Sequence, residues 1–289
     1  MIRWSLKFIV PALLCVGSAQ AQLAAALRLV KNQHLAGEPV MAIVTITNHA
    51  GKELVFHSDG RFQWLDFIVK NNAGEPVNAK RGAFFGPMKI AAGQSLAREV
   101  DLAQYFQLGE AGNFSVTALV RQPGDNTQGS TTNRAFFSQS AGQIYWSQKV
   151  GLPTRANQTR EFRLLNFAGD SKSQIYAQIA DNQTGQLVRT FLLGDVLMLR
   201  KPLAAVDRQQ RMHVMFMATP TMWVHCVIDT DGKLDNRQIH QRGPQGDPQL
   251  LTLGDGSVSV SNSIPYDPKA AAEARAKIRK ASDRPTITY

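Results

Sequence analysis

The chain has 289 residues and a formal net charge of +10 at pH 7, and its two cysteines are Cys15 and Cys226. The length suffices for one or two ordinary domains with buried cores. A disulfide-stapled fold is excluded, because Cys15 lies in a segment that we expect to be removed and Cys226 then has no partner. Lys and Arg are in diffuse excess, which favours anionic envelope polymers or lipid head groups over nucleic acid as partners, unless the basic surface is simply solvated.

Residues 1–21 have the pattern of a secretory signal peptide. Arg3 and Lys7 precede an apolar run from Phe8 to Val16, and small residues end the segment at Ala21. The run is shorter than the roughly 20 residues that a membrane-spanning helix needs. We therefore expect cleavage after Ala21, a secreted or periplasmic protein, and no membrane span in the mature chain. A retained N-terminal anchor is the alternative.

Residues 22–149 show apolar residues at every second position, in short segments that Gly, Pro and Asn separate. The clearest segments are Val40–Ile46 and Phe114–Val120, and both are predicted as half-buried strands. Further strands are predicted at residues 54–57, 62–70, 88–90 and 95–102. This spacing of short strands predicts an antiparallel β-sandwich. The polar stretch 123–133 is predicted as an exposed hairpin loop, with disorder as the alternative.

Two motifs in this segment are similar to those of a known class of domains. The residues Gly37–Val40 lead into an alternating strand, and the pattern D-L-x-x-Y-x-x-L-x-x-x-G-x-F-x-V runs from Asp101 to Val116. Both resemble secreted bacterial Ig-like domains of the macroglobulin type, and the whole chain resembles secreted two-domain all-β bacterial proteins. The resemblance implies a spacer or binding module and transfers no active site.

Residues 150–158 are rich in Gly, Pro and polar residues and are predicted as a linker. The segment 159–266 is predicted as a second β domain that contains a repeat, because Ile175–Asp181 aligns with Trp223–Asp229. One meander is predicted at 162–167, 175–180 and 186–193, and the next at 203–206, 212–217, 223–228 and 233–240. Each is the size of a propeller blade, but two blades cannot close a propeller. We expect two blade-like sheets packed face to face, with a half-propeller completed by a partner as the alternative.

The turn Asp229–Gly232 resembles the middle of a calcium-binding EF-hand loop. In that alignment the first and last loop positions fall on Val227 and Gln238, which lack the required carboxylates. The sequence therefore predicts a hairpin turn rather than a calcium site.

Soft metal ligands cluster in the strands around residues 212–228. If these strands pair with His213 opposite Cys226, one face collects His213, Met215, Met217, Met222 and Cys226. Thioether, thiolate and imidazole groups favour Cu(I), so this face predicts a copper site. The alternative is an ordinary core, because Met and unpaired Cys are common core residues and the opposite face is equally apolar. A change of register by one residue would scatter the set.

Signatures of catalysis are absent from the sequence, which has no nucleophile elbow, zinc-protease motif, P-loop or dinucleotide-binding motif. Residues 267–289 are predicted as a basic helical tail. The expected fold class is all-β, with an Ig-like antiparallel sandwich, a second domain of two blade-like meanders and a short C-terminal helix. We expect a secreted non-enzymatic binding or adaptor protein of the cell envelope. A periplasmic Cu(I)-binding protein is the alternative, and an envelope hydrolase is less favoured.

Overall fold

The computed structural model describes residues 23–58, 62–80, 82, 84–152, 155–168 and 172–282. In this part of the chain the protein is all-β with a short C-terminal helix, as the alternation patterns predicted. The predicted signal peptide and the last residues of the predicted tail, 283–289, lie outside the described residues. No helix within the described ranges is long and apolar enough to cross a membrane.

The first part of the chain folds as two main sheets around one core. Its strands are β1 (Leu23–Leu29), β2 (Gln33–Leu35), β3 (Met41–Asn48), β4 (Leu54–Phe56), β5 (Leu65–Asn71), β6 (Met88–Ile90), β7 (Ser95–Asp101), β8 (Gly112–Gln122), β9 (Asp125–Thr131) and β10 (Ala135–Ser140). One sheet has the order β1-β3-β7 and the other β2-β10-β8-β5, with β9 paired to β8 and β4 paired to β6. The alternate apolar residues of β3 and β8, from Ala42 to Ile46 and from Val116 to Val120, line the core between them.

One prediction in this part is wrong. The stretch 123–133 was expected to be a loop, but residues 125–131 form β9, which pairs with β8 in an antiparallel hairpin. Its polar residues gave no apolar alternation, and the strand forms because its backbone continues the ladder of β8.

The second part of the chain contains the two predicted meanders. The first has β11 (Gln143–Leu152), β12 (Arg155–Ala168), β13 (Ser173–Asp181) and β14 (Leu187–Asp195), and the second has β15 (Leu203–Val206), β16 (Met212–Thr219), β17 (Met222–Ile228) and β18 (Leu234–Arg242). Both sheets follow chain order. Their facing apolar side chains, such as Phe162 and Leu164 from one sheet and Phe216 and Val224 from the other, share one core. The predicted face-to-face packing is therefore confirmed.

Of the residues predicted as a linker, 150–152 end β11 and 155–158 begin β12, where Val150 pairs with Arg160 and Gly151 with Thr159. The domain boundary itself stays a prediction.

Further layers cover the outer faces of the two meanders. The hairpin of β19 (Gln249–Thr252) and β20 (Val258–Ser261) packs Leu250 and Val260 against the outer face of β16 and β17. On the opposite side, Leu35 of the first part packs against Leu165 and Tyr176. Strands β13 and β17 are consequently buried on both faces. The chain ends with β21 (Ser263–Pro265), which pairs with β18, and the helix α1 (Pro268–Ser282).

The turns of the sequence repeat are equivalent in the structure. The Asp229 carboxylate accepts hydrogen bonds from the backbone N–H groups of Asp231 (2.9 Å) and Lys233 (2.7 Å), and Gly232 has a φ of +79°. Asp181 likewise accepts from two backbone N–H groups, and Gly185 has a φ of +72°. The predicted role of Asp and Gly as turn residues is confirmed.

Candidate functional site

The predicted pairing of β16 with β17 is wrong by one residue. His213 lies opposite Val227, and Val214 lies opposite Cys226. The hairpin turns at Pro220 and Thr221, and a bulge between Met217 and Thr219 adds one residue to β16. The side chains of β16 and β17 that share a face are therefore not the ones predicted.

This register separates the residues of the predicted copper site. Cys226 points into the core between the two sheets. Met215 and Met217 lie on the other face of β16, under the β19–β20 hairpin, and His213 shares that face with them. Met222 is half-buried at the start of β17, opposite Thr219. The five residues thus do not converge on one ion. Within the described ranges, no group of three or more His, Cys, Asp or Glu side chains is arranged to hold a metal ion.

Cys226 is a packed core residue in this arrangement. Its side chain is fully buried, and burial raises the pKa of the thiol to about 11. A nucleophile or a thiolate ligand requires the deprotonated form, which this environment disfavours.

The corrected register instead creates a row of histidines on the outer face of the second meander. This histidine row consists of His213 on β16, His225 on β17 and His240 on β18, each at most 6% exposed. The rings of His213 and His225 stack at 5.2 Å between centroids, and those of His225 and His240 are 6.0 Å apart. Three neighbouring strands thus place one imidazole each in a buried layer.

A buried carboxylate anchors one end of the row. Asp207, in the turn before β16, accepts hydrogen bonds from the backbone N–H and the Nε of Arg211 at 2.9 and 2.8 Å, and its Oδ2 lies 3.1 Å from His213 Nε2. Burial acts to raise the pKa of Asp207, but the hydrogen bonds from Arg211 and His213 outweigh it and hold that pKa below its usual value. Asp207 is therefore an ionised acceptor.

Hydrogen bonds link Asp207, His213 and His225 in a chain. Because the ionised Asp207 can only accept, His213 donates to it from Nε2, and His213 Nδ1 lies 3.1 Å from His225 Nε2. Burial, together with the imidazoles of His213 and His240, lowers the pKa of His225 to about 4, so this ring is neutral near pH 7.

Two ring nitrogens of the row have no hydrogen-bond partner. They are His225 Nδ1 and His240 Nε2, and both are buried. The other nitrogen of His240, Nδ1, lies 3.2 Å from the Ser263 hydroxyl on β21. Buried polar atoms are normally paired, so these two nitrogens are candidate ligand atoms.

Sequence reasoning missed Asp207, His225 and His240. His225 was assigned to the opposite face because the predicted register omitted the bulge, and His240 lies on a strand whose other residues are mostly exposed. The sequence offers one signal, which is a histidine on each of three successive strands. This signal identifies a shared face only when the register between the strands is known.

A second candidate site is a cleft of about 380 Å³ along β7. We call it the β7 cleft, and its walls include Phe84, Phe85, Arg98, Glu99, Asp101 and Tyr105. Phe84 stands on its rim and is 69% exposed. The Arg98 guanidinium donates a hydrogen bond to the carbonyl of Gly86 (3.0 Å) and lies over the Trp64 ring, which holds the loop around Gly86 close to β7.

Among the described residues, β7 is the last strand in the order β1-β3-β7, and no strand pairs with its second edge. In an antiparallel pair, every second residue of a strand forms its backbone hydrogen bonds with the partner strand. Because Leu102 N–H donates to the Val40 carbonyl, the even-numbered residues of β7 are the ones that bond to β3. The backbone groups of Ala97 and Glu99 therefore point away from β3, and Glu99 lines the cleft.

Comparison with known proteins identifies no family. No protein-family model and no curated protein sequence matches the chain. Among solved structures, the sporulation control protein Spo0M from Bacillus subtilis is similar over 60% of this chain and 91% of its own, with 11% sequence identity and a TM-score of 0.29. A score this low carries no argument about fold or function.

Proposed function

We propose that the protein is a secreted, non-enzymatic binding protein of the cell envelope, and that its protein partner adds an extended segment to the free edge of β7. The observation that carries this proposal is the β7 cleft, where an unpaired strand edge borders an exposed aromatic side chain. The resemblance of the first part to Ig-like binding modules points the same way.

Strand addition uses two kinds of contact, and the β7 cleft offers both. The outward N–H and C=O groups of Ala97 and Glu99 supply backbone hydrogen bonds to an added strand. Phe84 and Tyr105 supply apolar contact for one of its side chains, and alternate side chains of the added strand give specificity. An apolar extended segment is therefore the occupant that this cleft favours.

The test is selection of extended peptides on the purified protein, followed by two matched variants. Glu99→Pro removes the outward N–H without removing a bond to β3, because proline is tolerated where the N–H faces away from the ladder. Glu99→Gln removes the charge and keeps the N–H. We expect Glu99→Pro to weaken binding at least about tenfold, a loss of about 1.4 kcal/mol, and Glu99→Gln to retain it. Hydrogen exchange should show protection of residues 95–101 by the peptide.

Peptides that bind equally well to Glu99→Pro, or that protect a different region, would refute strand addition at β7. An unchanged near-ultraviolet circular dichroism spectrum would establish for each variant that its fold is intact. Self-association of the chain through the same edge, seen as a Glu99→Pro-sensitive dimer without any peptide, would replace the foreign partner with a second copy.

Secretion is the other part of the proposal and rests on residues 1–21. Expression of the full chain in a bacterium should yield a periplasmic or extracellular product whose intact mass begins at Gln22. Recovery of the uncleaved chain in the membrane fraction would contradict cleavage and support the retained anchor.

A further inference from the structure

His225, one of the two histidines with an unpaired nitrogen, lies beside a thioether. Met215 is directly opposite His225 in the β16–β17 ladder, on the same face. Directly opposed side chains on one face of a sheet have Cβ atoms about 5 Å apart, which is within reach of a long flexible side chain. Met215 is fully buried, and His225 and His240 are 6% and 4% exposed.

The surrounding residues prepare both imidazoles as ligands. A metal-binding histidine usually donates its other N–H to a fixed acceptor, which leaves a bare nitrogen toward the metal. His225 Nε2 lies 3.1 Å from His213 Nδ1, where it can donate, and the Ser263 hydroxyl is placed to accept from His240 Nδ1. Donation from these two atoms leaves His225 Nδ1 and His240 Nε2 to bind a metal, and both are among the buried atoms that lack a hydrogen-bond partner.

We propose that His225 Nδ1 and His240 Nε2 bind one Cu(I) ion, with the Met215 thioether as the third ligand. The site differs from the ligand set that the sequence predicted, since it replaces His213, Met217, Met222 and Cys226. His213 and Asp207 act as positioning residues, because they orient His225 without contacting the ion.

The donor set selects the metal. Thioether ligands favour Cu(I), and imidazole nitrogen also binds copper well. Both histidine side chains lie in a buried layer, where a singly charged ion costs less desolvation than a doubly charged one.

The test is competition between the purified protein and the chromophoric Cu(I) chelator bicinchoninate, without oxygen and with a reductant. We expect one Cu(I) per chain. His225→Gln and His240→Gln should each lower the affinity at least about a hundredfold, and His213→Gln about ten- to a hundredfold, as expected for the loss of a positioning residue. His49→Gln, at an exposed histidine, is the matched control and should leave the affinity unchanged.

The third ligand has its own readout. X-ray absorption of the Cu(I) complex should show nitrogen and sulfur neighbours, and Met215→Leu, which preserves the apolar volume, should remove the sulfur contribution. Retained sulfur in this variant would overturn the assignment of Met215.

Three results would overturn the site as a whole. They are failure of the protein to compete for Cu(I), equal affinities of the wild type and both histidine variants, and tighter binding of Zn(II) than of Cu(I) in parallel titrations. A crystal grown with Cu(I) in which only a water molecule contacts His225 Nδ1 and His240 Nε2 would also refute it. Circular dichroism of each variant separates loss of the ligand from loss of the fold.

Discussion

Asp207 makes several polar interactions at one end of the histidine row. Its buried carboxylate binds the Arg211 backbone, the Arg211 side chain and His213 at once. Removal of the charge from such a site leaves donors unpaired in a low-dielectric layer. The residue therefore links the turn before β16 to the buried face of the second meander.

We predict that Asp207→Asn lowers the free energy of unfolding by about 2–4 kcal/mol, because a buried carboxylate that accepts several hydrogen bonds loses its charge and leaves donors unpaired. Urea unfolding measures the change. Asp229→Asn is the matched control, since Asn also caps such turns and keeps the oxygen that accepts from Asp231 and Lys233, and it should cost less than about 1 kcal/mol. Equal losses in the two variants would show that the buried network adds nothing beyond turn formation.

His34 gives the fold a pH dependence that is separate from the histidine row. Its ring is 2% exposed and faces Glu38 and Lys31, with Nε2 3.0 Å from the Lys31 carbonyl and Nδ1 3.8 Å from Glu38. Burial lowers the pKa of His34; the Glu38 charge opposes this shift and the Lys31 charge adds to it. The folded protein therefore takes up this proton at lower pH than the unfolded chain does.

The sign of the effect follows from that difference. As pH falls below 6.5, the ordinary value, the unfolded chain binds the proton first, so this group's contribution to stability is lost by at most about 1.4 kcal/mol per pH unit. We predict that His34→Gln makes the decline of unfolding free energy below pH 6.5 shallower than in the wild type. Parallel curves for the two proteins from urea unfolding would contradict this prediction.

At the scale of elements, the strands were predictable where one face is buried. The alternation in β3 and β8 matches their burial because every second side chain enters the first core. Strand β9 was not predictable in this way, because its residues are polar and it is a strand only through its backbone pairing with β8.

The pairing of β16 with β17 was beyond sequence reasoning for a different reason. A bulge next to the Pro220–Thr221 turn adds one residue, and one residue exchanges the two faces of a strand. Both faces of β16 and β17 are apolar and buried, so the sequence pattern does not show which residues of the two strands share a face. The copper set failed as a geometric prediction at this step, and the histidine row was hidden by it.

The turn between β2 and β3 meets the edge of the first meander at a glycine. Gly37 has a φ of +80°, and a Cβ there would lie 2.7 Å from Leu187 Cδ1 and 3.0 Å from Thr190 Oγ1 on β14. Gly74 has the same φ, and a Cβ there would meet nothing within 4 Å. The pair separates backbone strain from a steric clash.

We predict that Gly74→Ala costs about 1–2 kcal/mol from the left-handed backbone alone, and that Gly37→Ala costs a further 1–3 kcal/mol or so from overpacking. Thermal and urea unfolding of both variants measure the difference. A Gly37→Ala variant no less stable than Gly74→Ala would mean that β14 moves away from this turn at no cost.

At the scale of the whole molecule, the chain forms stacked layers, and each layer covers a face of the next. The first part covers one outer face of the paired meanders, and the β19–β20 hairpin covers the other. The face-to-face packing of the meanders was predictable, since both had apolar strands of suitable length. The β7 cleft was not, because it joins a strand edge to the loop at residues 84–86, which lies near β7 only in the folded chain.

The layers are joined at Leu165, and its neighbour provides a control on the same strand. Leu165 packs with Leu35 and Tyr176 between the first part and the meanders, whereas Leu164 points into the core between the meanders. Both are fully buried, so replacement of either leucine by alanine should cost about 2–5 kcal/mol. The two substitutions differ in which layers lose contact.

We predict that Leu165→Ala accelerates hydrogen exchange both in residues 33–40 and in β13, because the side chain that joins the two layers is gone. Leu164→Ala should accelerate exchange in the meanders and leave residues 33–40 unchanged, because those residues do not contact the core that it empties. Mass-spectrometric hydrogen exchange at matched pH and temperature resolves both regions. If both variants accelerate exchange in residues 33–40 equally, the layers unfold as one cooperative unit. If Leu165→Ala leaves exchange in these residues unchanged, this contact does not stabilise the first part.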